Sequence, residues 1–268
     1  MLALPFLGVT PRQGKPRATG LTIVRDQIRP LEEQRQFLET YAPFIDYAKL
    51  SNISAALYPE TFIDAKIALY RTHDVTPLFG GIVFENAYVR DKLDEFVAYI
   101  AEREVAVEIS DNVARIPALD RLAIIERLQR VRVEIICEVG AKYPTKPFDV
   151  EALALEIEQL CAAGIKLVVL ERGEIDMVLG PDGQASTAHL LAELIARVGK
   201  DRIMPEVETK EHMVHMIKHF GSDINLGPNV DWELVRWLEP ARHGIGRDIG
   251  HTTIAAAAGD KDVRSNPQ

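Results

Sequence analysis

Polar residues of a few kinds recur along this chain, each just after a short apolar run: Asp26, Lys49, Glu85, Glu108 with Asp111, Glu138 with Lys142, Glu171 with Arg172, Glu206 and Asn225. Carboxylates that face a common mouth cannot all stay ionised without a counter-charge. A divalent cation and a few Lys or Arg side chains would supply it. Carboxylate and water ligands suit Mg2+, which takes one or two protein carboxylates and keeps positions open for a substrate. Glu85 is the weakest of the set, because it lies several residues past its apolar run. No G-x-S-x-G, Walker A or H-E-x-x-H pattern occurs, so serine-hydrolase, P-loop and zincin chemistry have no support.

The elements that must hold these residues follow from periodicity. Short β-branched runs at 20–26, 44–51, 76–80, 105–110, 133–139, 165–171, 203–207 and 224–226 read as strands. Between them, helical periodicity covers 31–41, 59–73, 90–103, 117–131, 149–163, 186–199 and 209–220, and a last helix begins near Asp231. Eight strands, each followed by a helix, is the pattern of a TIM (β/α)8 barrel, whose chemistry sits at the C-terminal strand ends. A doubly wound open sheet is the runner-up, but it would usually carry a glycine-rich first turn, and here that turn is Asp26-Gln-Ile-Arg29. No linker rich in Pro, Gly or Ser divides the chain. One domain over 1–268 is expected, with an N-terminal segment at 1–18 and a fraying tail at 255–268.

Two further features are weaker. His212, His215 and His219 flank the apolar stripe of one outer helix and read as a solvated face. The segment 243–250 follows the eighth strand, where barrels often cradle a phosphate, and Arg242 and Arg247 could add charge there.

Composition narrows the class. The chain has 268 residues, 47% hydrophobic and 26% charged, which is ordinary for a globular protein. Forty acidic residues against 31 basic ones give a formal charge of −9, so nucleic-acid coating is not expected. No apolar run is long enough to span a membrane. The apolar start lacks a basic region before it, and Cys137 and Cys161 form no CxxC, so reduced thiols and a cytoplasmic location are expected. Outer-helix residues such as Trp232 and Trp237 allow a homo-oligomer, although their spacing suits core packing equally.

Six segments, in order, resemble the phosphosulfolactate synthases. They are Gly20-Leu-Thr-Ile-Val-Arg-Asp26, Lys49-Leu50, Phe79-Gly-Gly81 leading to Phe84-Glu-Asn-Ala-Tyr88, Val107-Glu-Ile-Ser-Asp111, Glu138-Val-Gly-Ala-Lys142 and Phe220-Gly-Ser-Asp-Ile-Asn-Leu226. The resemblance covers roughly residues 18–250 and implies a (β/α)8 barrel that adds sulfite to phosphoenolpyruvate with Mg2+, a step toward coenzyme M or sulfolactate. It implies Glu108, Glu138 and Glu171 as metal ligands, with Lys142 as general acid and Lys49 also catalytic. Asp26, Arg172, Glu206, Asn225, Arg242 and Arg247 would contact a small anionic substrate or a sulfite-like nucleophile.

The chain also departs from that family. Ser51-Asn-Ile-Ser54 replaces a Gly-Trp-Gly-Thr type segment, Asn112-Val-Ala-Arg115 replaces a serine-rich loop, and Ala141 replaces the first lysine of EVGKK. Glu171-Arg-Gly-Glu174 stands for Glu-Gly-Arg-Glu, Glu206-Val-Glu208 for Glu-Ala-Pro, and Arg242-His-Gly244 for Arg-Arg-Gly. The metal and acid half of the site is kept while the anion-binding loops change. Two expectations therefore stand. One is a Mg2+-dependent lyase acting on phosphoenolpyruvate or a related enol or carboxylate, with sulfite or another nucleophile. The other is a non-catalytic, protein-binding relative like the plant heat-stress-associated proteins.

Overall fold

The computed structural model describes residues 3–246 except 8, 10–11, 52 and 181–186, together with Ile249. Arg247 and the tail at 255–268 lie outside the described residues. Eight parallel strands run in the order of the chain: β1 (Thr22–Asp26), β2 (Tyr47–Leu50), β3 (Thr76–Phe79), β4 (Ala106–Ile109), β5 (Ile135–Val139), β6 (Val168–Leu170), β7 (Ile203–Pro205) and β8 (Leu226–Val230). Each pairs with the next, and β8 returns to β1. A parallel bridge between Glu206 and Gly227 joins β7 to β8, so the sheet closes as a (β/α)8 barrel.

Outside the barrel lie α1 (Leu31–Tyr41), α2 (Glu60–Thr72), α3 (Gly81–Val89), α4 (Leu93–Glu102), α5 (Ala118–Arg130), α6 (Val150–Ala162), α7 (Arg172–Leu179), α8 (Ala188–Val198), α9 (Lys210–Phe220) and α10 (Trp232–Arg242). Local chemistry starts several of them. The side chains of Asp149, Thr209 and Asp231 accept from the free N–H groups of Ala152, His212 and Glu233 at the first turns of α6, α9 and α10. Pro30, Pro59 and Pro117 precede α1, α2 and α5, where a missing N–H costs nothing. None of the described helices is long and apolar enough to cross a membrane.

Several boundaries differ from the sequence reading. The helix expected at 90–103 is α4, and an unexpected helix, α3, precedes it, beginning directly after β3. A further helix, α7, fills the gap after β6. The eighth strand is Leu226–Val230 rather than 224–226, which proves consequential below. His212 is not on a solvated face: it is buried and its Nε2 lies 3.1 Å from the Gly180 carbonyl. Trp232 is core, stacked on Phe37 at 4.3 Å between ring centroids, whereas Trp237 is partly exposed.

Strand side chains alternate between two environments. Ile23, Leu78, Ala106, Ile136, Val169 and Met204 fill the barrel interior as one small cluster. Val24, Leu50, Val107, Cys137, Val168 and Leu226 face outward into the larger cluster beneath the helices. Asp26 belongs to the outward set. It is fully buried, accepts 2.7 Å from the Tyr70 hydroxyl and lies 2.9 Å from the Lys66 ammonium. Lys66 also donates to the Arg29 carbonyl at 2.7 Å and to Gln34 at 2.8 Å. Asp26 thus clamps β1 to α2 rather than facing the mouth, which corrects its expected substrate contact.

Removing one partner of a buried ion pair leaves the other charge uncompensated, at a cost of about 3–5 kcal/mol. Asp26→Ala is expected to lower the unfolding free energy by about that much, measured by urea denaturation.

Candidate active site at the barrel mouth

The inward residues two positions beyond the interior cluster form the next layer toward the C-terminal end: Arg25, Lys49, Gly80, Glu108, Glu138, Glu171, Glu206 and Asn229. All eight line one cavity of about 160 Å³, with Lys142 and Glu208 on its rim. Strand alternation brings them together, one from the C-terminal end of each strand or the residue directly after it.

Each side chain has an identifiable support. Lys49 Nζ lies 2.9 Å from Glu108 Oε1, which also accepts from the Gly81 amide at 3.0 Å. A Cβ on Gly81 would stand 2.1 Å from Ser110 Oγ, so only glycine lets α3 start this close to β4. Glu85 turns inward beneath the loop after β4. It accepts from the amides of Asn112, Val113 and Ala114 at 3.1, 2.8 and 2.6 Å, and from the Ser110 hydroxyl. That nest fixes the loop and aims the Asn112 amide at two carboxylates, donating to Glu138 and, at 2.8 Å, to Glu171.

Glu206 accepts from the Arg172 amide at 3.0 Å, at the start of α7, and from the Asn229 side chain. The loop carrying Lys142 is fixed from below, since Glu174 accepts from the Ala141 amide at 3.0 Å. A Cβ on Gly173 would stand 2.3 Å from the Ala141 carbonyl and 2.5 Å from that of Lys142. Lys142 itself is exposed on the rim.

One ligand oxygen each from Glu138, Glu171 and Glu206 lies within 4.8 Å of the others, and all three residues are buried. Burial, then Glu108 and Glu171, push the Glu138 carboxyl well above the usual range. Burial and Glu171 push Glu206 up to about 8. Burial opposes charge on Lys49, but Glu108, Glu138 and Glu206 outweigh it and raise its pKa above the ordinary lysine value. Glu108 Oε2 is buried without a hydrogen-bond partner.

These residues fit a divalent cation. Three hard oxygen donors lie within 4.8 Å of one another, close enough to share one ion, and one buried lysine cannot balance the carboxylates. Glu206, expected to contact substrate, converges with Glu138 and Glu171, while Glu108, the third expected ligand, stands beside them with Oε1 engaged by Lys49 and the Gly81 amide.

Asn225 and Arg242 fall at the opposite end of the barrel. Asn225 precedes β8, accepts from the Leu21 amide at 3.0 Å, and its amide donates to the carbonyls of Lys200, Asp201 and Ile203. Arg242 ends α10, which runs back from the mouth, and donates to the carbonyls of Ser222 and Ile224 at 2.5 and 2.7 Å. Neither reaches the mouth, so both expected substrate contacts are corrected. The sequence reading missed Arg25, Asn112, Glu208 and Asn229. For Arg25 and Asn229 the signal was available, because each stands two residues after an inward position. A larger groove of about 1310 Å³ opens at the far end. Two of its acids, Glu134 and Glu158, are already bonded to Tyr47 and Arg197.

Comparison with known proteins identifies the family. The family model for (2R)-phospho-3-sulfolactate synthase (ComA) matches residues 10–248. A phosphosulfolactate synthase of Methanothermobacter thermautotrophicus is 28% identical over 255 residues, covering 92% of this chain and 97% of that protein. The protein Heat-stress-associated 32 of Arabidopsis thaliana is 22% identical over 278 residues, covering 92% and 93%. Among solved structures, a type I 3-dehydroquinate dehydratase from Clostridium difficile superposes with a TM-score of 0.55 at 11% identity, covering 87% of this chain and 97% of that one, a likeness of fold alone. With its barrel, its mouth carboxylates and a family model spanning nearly the whole described chain, this protein belongs to the (2R)-phospho-3-sulfolactate synthase family of lyases.

Proposed function

We propose that this chain adds sulfite to phosphoenolpyruvate, forming a C–S bond at the methylene carbon and placing a proton on C2. The observation that carries this reading is the convergence of Glu138, Glu171 and Glu206 beside two lysines in one mouth. Those three residues would hold Mg2+, which when bound supplies positive charge to the substrate carboxylate as negative charge grows there.

The two lysines then divide the work. Lys49, held charged by its carboxylate neighbours, is a poor proton donor and a good fixed positive charge. Lys142, exposed on the rim of the same cavity, is the group that protonates C2. Asn112 holds Glu138 and Glu171 in place, and the main chain of Arg172 does the same for Glu206. A ³¹P NMR assay with phosphoenolpyruvate, sulfite and Mg2+ is expected to show a new, sulfite-dependent phosphomonoester line. Lys142→Ala is expected to cut that turnover by at least about 100-fold without changing the melting temperature.

Glu171→Gln is expected to weaken Mg2+ binding by at least about tenfold in a calorimetric titration. Glu108→Gln should weaken it less, because Glu108 lies outside the close trio and its Oε1 is held by Lys49 and the Gly81 amide.

The pH dependence follows from Glu206. Its folded value of about 8 lies above the ordinary 4.5, so between these values the folded protein binds more protons than the unfolded one. The stabilisation is complete at low pH and is lost as pH rises through about 8. Without divalent cations the melting temperature should therefore fall over that range. Added Mg2+, which needs the ionised carboxylates, should raise it most at the alkaline end.

A second reading is a non-catalytic, protein-binding barrel. It is favoured by the similarity to the heat-stress-associated protein and by exposed Leu57, Val113, Leu119 and Tyr143 on or beside the loops around the mouth. Folded, Mg2+-binding protein that gives no sulfite-dependent phosphorus line would select it.

A further inference from the structure

Three charged side chains cross the rim of the mouth. Glu208 lies on the loop after β7, Arg25 ends the inward row of β1, and Arg172 opens α7. One oxygen of Glu208 lies 3.4 Å from Arg25 Nη1, and the other pairs with Arg172 Nη1. Asn229 donates to Glu208 as well, at 3.1 Å. Arg172 makes a second pair with Asp176 at 3.1 Å, and Arg25 approaches Asp231 at 3.9 Å. The Arg25 Nε–H is buried and has no hydrogen-bond partner.

Two guanidiniums that flank one point at the edge of a small cavity are an anion seat, since each presents several N–H donors in a fork matched to carboxylate or phosphate oxygens. In this chain a carboxylate of the protein already sits in it. The geometry points to Glu208 as a specificity-determining residue: its carboxylate occupies the seat between Arg25 and Arg172 and lowers the affinity of the mouth for a phosphoryl dianion.

This rests on the reading of the mouth as the substrate site. A phosphorylated substrate must displace the Glu208 carboxylate or meet it as a like charge, and like-charge juxtaposition is strongly unfavourable in a half-buried site. A substrate carrying a single carboxylate or a hydroxyl at this end meets less repulsion. Within the proposed reaction, Glu208 raises the KM for phosphoenolpyruvate.

The test is calorimetric titration of the full chain with inorganic phosphate and with phosphoenolpyruvate in the presence of Mg2+, comparing the wild type with Glu208→Gln and Glu208→Ala. Glu208 is partly exposed and its loop is fixed mainly by backbone pairing, so both variants should fold, which thermal melting checks. Both are expected to bind inorganic phosphate at least about tenfold more tightly. Adding Arg172→Ala to Glu208→Gln should abolish the gain. Unchanged or weaker binding in both variants would overturn the proposal, as would a gain that survives loss of Arg172. The titration needs no turnover. A gain without sulfite-dependent product would leave Glu208 in this role and remove the sulfite reaction, while turnover without a gain would do the reverse.

Discussion

Four buried carboxylates, those of Glu108, Glu138, Glu171 and Glu206, face a single buried ammonium at the mouth of this barrel. Their mutual repulsion in a poorly solvated space is the constraint around which the loops are built. Each loop contributes a donor that lowers the cost. The β4–α5 loop brings the Asn112 amide, β8 brings Asn229, and the start of α7 brings a backbone N–H. These donors reduce the charge imbalance without removing it, and the raised pKa values of Glu138 and Glu206 mark what is left. A cation with oxygen ligands answers the remainder better than any further side chain present.

The same requirement explains features that have no chemistry of their own. Glu85 never reaches the cavity, yet it gathers three amides so that Asn112 can be placed. Gly81 and Gly173 carry no functional group, and each lets one element approach another more closely than a Cβ would allow. Gly173 also rationalises the order Arg-Gly in this chain, because position 173 is the one that packs against the carbonyls of Ala141 and Lys142. With glycine there, Arg172 is free to turn toward Glu208.

Stability and site chemistry occupy opposite faces of the same strands. On β1, Arg25 faces the mouth, while the next residue, Asp26, is buried under α2 with Lys66 and Tyr70. The far end of the barrel is tied by Asn225 and Arg242, which satisfy backbone carbonyls where strands begin. A charged residue near a strand therefore has three possible destinations, and only the one pointing inward at the C-terminal end meets the cavity.

The alternation of apolar runs with helical segments was enough to read a (β/α)8 barrel, because each run is buried by its own composition. It was also enough to single out Lys49, Glu138, Glu171, Glu206 and Lys142, since strand ends converge in that fold. Sequence could not say which of two neighbouring residues faces inward when a boundary is uncertain by one or two positions. The unknown facing of the last β1 residue placed Asp26 in the mouth instead of Arg25, and an eighth strand expected to end four residues too early placed Asn225 there instead of Asn229. Nor could it show that Glu108 pairs with Lys49 while Glu206 converges with Glu138 and Glu171. Those pairings join residues 59 and 68 positions apart, and the closing of the barrel decides them. The sequence by itself determined the barrel and the acidic character of its mouth, through local periodicity and composition. Tertiary structure alone decided which charges meet, because charge pairing depends on distances that only the closed sheet sets.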